Sequence, residues 1–221
     1  MQRYIGTIKK AAIFSGIREE EIYAILHCME AKAEEFPKGS RILRAGDAVD
    51  AVGLLLTGEA LVVQEDFWGN RNLLSHLGAG QIFAESFACS PGATLNVNVD
   101  AESACTVLFL NLRHLITTCP NSCAHHNRLI RNLLADMAGK NLRFNEKITH
   151  MSQRTTREKL LSYFSAEAQR QGSSEFDIPF SRQQLADYLS VERSGLSAEL
   201  GKMRDEGLLT FRKNHFVLEE K

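Results

Sequence analysis

Between residues 34 and 112 the chain never runs far without a glycine, with one at positions 39, 46, 53, 58, 69, 78, 80 and 92. Short β-rich runs fill the intervals: VGLLL (52–56), ALVVQ (60–64), LNVNV (95–99) and TVLFL (106–110). Short strands broken by frequent turn residues predict an antiparallel roll, barrel or sandwich. In LNVNV the alternation puts Leu95, Val97 and Val99 on one face and Asn96 and Asn98 on the other. Ahead of the strands, EEEIYAILHCM places Ile22, Ile25, Leu26 and Met29 on one side of a short helix suited to closing the end of a roll.

Between about 121 and 152 the period changes. Ile130, Leu134, Met137, Asn141, Phe144, Ile148 and Met151 are spaced 4, 3, 4, 3, 4, 3, a heptad seam with one polar member. This is the pattern of a helix that pairs with its own copy, and Asn141 falls at an a position, where a buried Asn gives up stability to set register and two-strandedness. The alternative is an amphipathic helix lying on its own domain. Length favours pairing, because a helix of roughly 30 residues is about 45 Å long, more than one roll covers.

Beyond 153 helices return, and QGSSEFDIPFS (171–181) has the composition of a loop. Ser181 followed three residues later by Gln184 is a capping box, so a helix starts there with Leu185, Ala186 and Leu189 inward. After a Ser190-Val191 turn a second helix runs to about Glu206, with Leu196, Leu200 and Met203 as its buried stripe. Its other face begins with Arg193, Ser194, Ser197 and Ala198. Small polar and basic side chains at the start of a supported helix suit the DNA major groove, about 12 Å wide and lined with donors and acceptors. Two short strands then flank a basic turn, Arg212-Lys213-Asn214, as in the wing of a winged helix, where Lys213 would lie against phosphates. An ordinary three-helix core with a surface hairpin is the competing reading.

Composition sets further limits. The formal net charge is −1, with 15 basic and 16 acidic side chains in residues 1–151 and 11 of each in 152–221, so local placement and not total charge must carry any nucleic-acid contact. No apolar run approaches the roughly 18 residues needed to span a bilayer, and the N-terminus lacks a signal-peptide core, which predicts a cytoplasmic protein without a membrane partner. The five cysteines are irregularly spaced, so reduced thiols are expected. Cys119 and Cys123, in CPNSC ahead of His125 and His126, form the one pair with spacing suited to a metal, an iron-sulfur cluster or a redox thiol. They match no standard zinc pattern, and buried structural thiols remain the simplest reading. CPNSC-AHH is also the sole candidate for enzymatic chemistry, and no enzyme is expected.

Taken with the order of β-rich region, seam helix and helix pair, the stretches FPKGSRILRAGD, LLTGEALVV, LGAGQIFAESF and FSRQQLADYLSVERSGLSAELGKMRDEGLL resemble the cyclic-AMP receptor protein and fumarate-nitrate reduction regulator (Crp/Fnr) family of bacterial transcription factors. The resemblance covers nearly the whole chain. It implies an α+β fold: an N-terminal cyclic-nucleotide-binding-like antiparallel β-roll (1–118), a long dimerisation helix (119–152) and a C-terminal winged helix-turn-helix (153–221).

It further implies a homodimer on a palindromic operator in double-stranded DNA, with RNA polymerase as a partner if the protein activates. The base-reading positions correspond to Arg193, Ser194, Ser197 and Ala198, and the backbone-touching pair to Arg182 and Gln183. The last reading position is usually an arginine in the family; Ala198 cannot grip guanine, so a different operator is expected with Arg193 as main reader. In the roll, family members that bind cyclic nucleotides carry a glycine-glutamate pair and, about ten residues on, an arginine and a serine for the cyclic phosphate. Here those positions are Ala84, Glu85, Leu95 and Asn96, and no Arg or Lys occurs between Arg71 and Arg113. A buried phosphate without its cation is poorly compensated, so cyclic AMP is not expected. Another small molecule near Glu85 and Ser86, reached from the long helix by Phe144 and Asn145, or a purely structural roll are the options the resemblance leaves.

Overall fold

The computed structural model describes residues 2–111 and 124–219. Its elements are helices α1 (Ile5–Lys10) and α2 (Glu19–Cys28), then strands β1 (Lys32–Phe36), β2 (Arg41–Leu43), β3 (Ala51–Thr57), β4 (Ala60–Glu65), β5 (Arg71–Leu77) and β6 (Ile82–Phe83). There follow a short α3 (Glu85–Ala88), β7 (Asn98–Ala101), β8 (Cys105–Asn111) and the long α4 (Ala124–Met151). The chain closes with α5 (Thr156–Gln171), β9 (Glu175–Asp177), α6 (Arg182–Leu189), α7 (Arg193–Asp205), β10 (Leu209–Arg212) and β11 (His215–Leu218). Two compact units result, Met1–Asn70 with Leu74–Lys140, and Arg71–Leu73 with Asn141–Lys221, so the division falls inside α4.

The first unit holds two four-stranded sheets, ordered β1-β8-β3-β6 and β2-β7-β4-β5. Gly58, between β3 and β4, has φ +80°, and a Cβ there would strike the Ala104 carbonyl and Cys105. Only glycine takes that conformation at that crowding, which is why the turn is where the sequence put it. Between the sheets pack Leu55, Leu77, Phe83, Val99, Cys105 and Val107. On the other side of β3 and β8, Val52, Leu54, Leu56, Leu108 and Leu110 meet Ile22, Ile25, Leu26 and Met29 of the α2 region, and Leu129 and Leu133 of α4. The predicted inward side of α2 is thus the observed one.

Three features depart from the sequence reading. Ile8, Ile13 and Phe14 join the same core through α1 and the turn after it; a six-residue helix gives too few periods to be recognised. Asn98, assigned to the polar face with Asn96, is buried, its side-chain carbonyl accepting the Ala45 N–H at 2.8 Å and its amide donating to Glu65 at 3.3 Å. Leu95, Val97 and Val99 are buried and Asn96 is exposed as the alternation required, but the strand starts only at Asn98, where both faces are covered and a hydrogen-bonded amide replaces solvent. The segment 171–181 contains strand β9, which pairs with β11 through Phe176↔Phe216.

In the second unit β10, β11 and β9 form a three-stranded antiparallel sheet. Phe164 of α5 lies 4.5 Å from Phe216 and 6.1 Å from Phe176 between ring centroids, and Tyr163, Phe180 and Tyr188 extend the cluster. Helix α5 starts on a capping box of Thr155 and Glu158 and ends on Gly172 in the left-handed region. Among the described residues no helix is long and apolar enough to cross a membrane.

Candidate functional site

The capping box that opens α6 forms as predicted: the Ser181 N–H donates to Gln184 Oε1 at 2.8 Å, and the Gln184 N–H to Ser181 Oγ at 3.3 Å. Leu185, Ala186 and Leu189 are fully buried. Ser190, left-handed at φ +51°, then reverses the chain, and Lys159 of α5 donates to the Leu189 carbonyl at 3.1 Å, supplying a cation at the helix C-terminus. On α7, Leu196, Leu200 and Met203 are fully buried. Arg157 of α5 clasps the same helix through Glu199 at 3.3 Å and through Glu206. The second helix is therefore held from behind by packing and by ion pairs.

What it presents outward is the predicted set. Arg193, Ser194, Ser197 and Ala198 are exposed, and Arg193 has no ion pair or hydrogen bond among the described residues. A guanidinium left free on a rigid helix can meet a base edge at small reorganisation cost. Gln183 is exposed but holds Asp187 at 2.8 Å. Lys213 stands at the tip of the β10–β11 hairpin with φ +54°, a conformation unusual for lysine and fixed by the two-residue turn between Arg212 and His215. Arg182 differs from a plain surface cation. Its guanidinium lies over the rings of Phe211 and Phe216 at 4.8 and 4.9 Å, its Nη1 is buried without a hydrogen-bond partner, and burial holds its pKa below the usual arginine value.

The second candidate position lies in the first unit. Ala84, where the resemblance expects glycine, keeps the left-handed backbone at φ +64°, so the corner is retained at a steric cost of about 1–2 kcal/mol. Glu85 is 6% exposed, and Ser86 is exposed. Leu95 is in the core and Asn96 is exposed. The sequence search for a cation here, confined to residues 71–113, missed Lys140 of α4. Its ammonium lies 3.0 Å from Glu85 Oε1 and 3.1 Å from Asp136 Oδ2, and donates to the Ile82 carbonyl at 2.7 Å. Only the Asp136/Lys140 spacing of four on a helix hinted at this. Removing one partner of a buried pair of this kind typically costs about 3–5 kcal/mol. Phe144 and Asn145 belong to the second unit and are exposed.

Only part of the α4 seam faces away from what the helix buries, since Ile130 and Met137 pack against the core of the first unit. Leu129 and Leu133 are in the core and Asn132 donates to the Ile13 and Ser15 carbonyls at 3.0 and 2.8 Å. Leu134, Phe144 and Ile148 are 60%, 46% and 63% exposed. Asn141 is also exposed, and Ile130, Met137 and Met151 are half-buried. Cys119 and Cys123 lie outside the described residues. Of the described cysteines, burial raises the pKa of Cys89 and Cys105, and no three His, Cys, Asp or Glu side chains converge as metal ligands among the described residues.

Two family models match the chain, a cyclic nucleotide-binding domain over residues 33–121 and a Crp-like helix-turn-helix domain over residues 158–220. The transcriptional activator protein FnrL of Cereibacter sphaeroides is 22% identical over 194 residues, covering 83% of this chain and 75% of that protein. Among solved structures, FixK2 from Bradyrhizobium japonicum superposes with a TM-score of 0.65 at 18% identity, over 86% of this chain and 93% of its own. The c-di-GMP responsive global regulator CLP of Xanthomonas campestris does so with a TM-score of 0.70 at 16% identity, over 88% and 97%.

Proposed function

Because this chain belongs to the Crp/Fnr family of DNA-binding transcription regulators, we propose that it works as a homodimer that seats one α7 helix in each half-site of a palindromic operator. The observation that carries this reading is the outer face of α7, where an unpaired Arg193 and the small Ser194, Ser197 and Ala198 stand over a fully packed stripe. Arg193 reads a base through its paired donors, the serines accept or donate at neighbouring edges, and Ala198 contributes only close approach. Lys213 contacts phosphate from the wing.

The exposed members of the α4 seam support dimerisation, because a helix presenting Leu134, Phe144 and Ile148 in register leaves a stripe that a second copy covers. An operator read by two identical helices is then palindromic by symmetry. The roll responds to a small molecule or a redox change other than cyclic AMP, and biases the equilibrium between dimer arrangements; about 1–3 kcal/mol of coupling suffices. If the protein activates, RNA polymerase is its further partner.

The test is selection of bound duplexes from a random library, followed by Arg193→Ala. A palindromic winner is expected, with the variant losing specific affinity by about 1–3 kcal/mol while nonspecific binding at the same salt is nearly unchanged. Equal loss on both duplexes would remove Arg193 from base reading.

A further inference from the structure

The wing of the second unit is attached to the helix pair by a stack of charge on aromatic rings. Phe211 on β10 and Phe216 on β11 are cross-strand partners with ring centroids 5.8 Å apart. Arg182, in the first turn of α6, lies across both, and Arg204 of α7 lies over Phe211 at 5.9 Å. Arg204 pairs with Asp205 at 2.9 Å, whereas Arg182 has no carboxylate partner among the described residues and its Nη1 is enclosed. Arg182 is half-buried, and enclosing even one guanidinium nitrogen without a counter-ion or hydrogen bond carries a desolvation cost. A residue whose only role was a phosphate contact would gain nothing from that burial, so the arrangement calls for a second role.

We propose that Arg182 is the positioning residue of the wing: stacked across Phe211 and Phe216, it sets the β10–β11 hairpin against the first turn of α6, so that Lys213 at the hairpin tip and Arg193 on α7 address the same duplex together. The inference rests on the reading of α7 as the DNA-contacting helix. The planar guanidinium is required because it spans two rings at once, which a lysine ammonium, a compact and strongly hydrated charge, does not. The hairpin is also held on its β11 side, by pairing with β9 and by the Ile178 N–H donating to the Asn214 carbonyl at 3.0 Å. Arg182 acts on the β10 side, where Phe211 faces the first turn of α6. Arg182 also keeps its charge for the phosphates near the helix start, so its two roles must be separated by coupling and not by affinity alone.

The experiment is a double-mutant cycle on operator binding by the full-length protein, with Arg182→Lys and Lys213→Ala, each affinity measured across a salt series. In the native background Lys213→Ala is expected to weaken binding several-fold and flatten the salt dependence by about one counter-ion. In the Arg182→Lys background, which preserves the charge, both effects of Lys213→Ala are expected to shrink well below their native size, because β9 still holds β11 but the tip is no longer set against α6. Additive effects would overturn the proposal and leave Arg182 as a phosphate contact alone. If Arg182→Lys does not fold, Phe211→Leu removes the stacking surface and must abolish the same coupling; if the coupling persists there, the proposal falls.

A DNA-free arm separates this inference from the reading beneath it. Amide exchange in residues 209–218 should accelerate in Arg182→Lys relative to wild type while exchange in α5 stays the same. Unchanged hairpin exchange would overturn wing positioning even where DNA binding holds. Accelerated exchange in a protein that selects no duplex would sustain positioning and sink the DNA reading.

Discussion

Lys147 shows how far a single side chain departs from what its type suggests. It is buried, donates to Asn72 Oδ1 at 3.0 Å and the Leu73 carbonyl at 2.5 Å, and lies 4.7 Å from the Tyr188 ring, yet these partners include no carboxylate. Burial lowers its pKa from the ordinary 10.5 to about 8. The unfolded chain therefore binds more protons than the native one between pH 8 and 10.5, and stability contributed at this site rises with pH through that window. The cost of holding the cation, about 3 kcal/mol by linkage, is fully present below pH 8. Lys147→Met should remove that rise. Denaturant unfolding at a series of pH values checks it, and an identical slope in wild type and variant would show that another group titrates. Around it, burial lowers His150, which keeps it below that window, and pushes Tyr188 up from 10.0 to about 12. The unfolded tyrosine therefore loses its proton before the native one and opposes the rise toward the top of the window, so the Lys147 slope is read near pH 8. Legibility at this scale was uneven. Arg193 was recognisable because exposure follows from helical period. The stacking of Arg182 and the burial of Lys147 were not, since each depends on residues distant in sequence.

At the scale of elements, local chemistry was informative where it is self-contained. The Ser181–Gln184 box needs only four residues and formed as spacing required. The inner stripes of α2, α6 and α7 are buried where 3.6-residue periodicity placed them. Strand β9 failed because three residues carry no period and its existence depends on pairing with β11. Helix α4 combines both situations. Its seam was evident from spacing, but which residues its other side buries was decided by the roll. The exposed Asn141 sits within that seam. Asn141→Leu is expected to raise dimer stability while loosening the choice of oligomer state or register, as a lost a-position amide does. Sedimentation equilibrium together with cross-linking across the seam measures both; an unchanged dimer in an unchanged register would count against the heptad assignment.

For the whole molecule, the absence of a cation between Arg71 and Arg113 has a direct consequence. Glu85 is already neutralised by Lys140, and the positions the resemblance assigns to phosphate capture are a core leucine and an exposed asparagine. Cyclic AMP added to the protein should leave its melting temperature unchanged, since a ligand raises stability only as far as it prefers the native state. A saturable upward shift at micromolar nucleotide would restore it as the effector. The sequence by itself determined the fold class, the order of the parts, the helix pair and the side chains that pair presents, because these follow from periodicity, turn residues and caps acting over short range. Only the tertiary structure decided that Lys140 closes on Glu85, that Asn98 and Lys147 are buried, and that Arg182 stacks on the wing. Each brings together groups tens of residues apart, and the energies involved come from desolvation and packing, which no local pattern records.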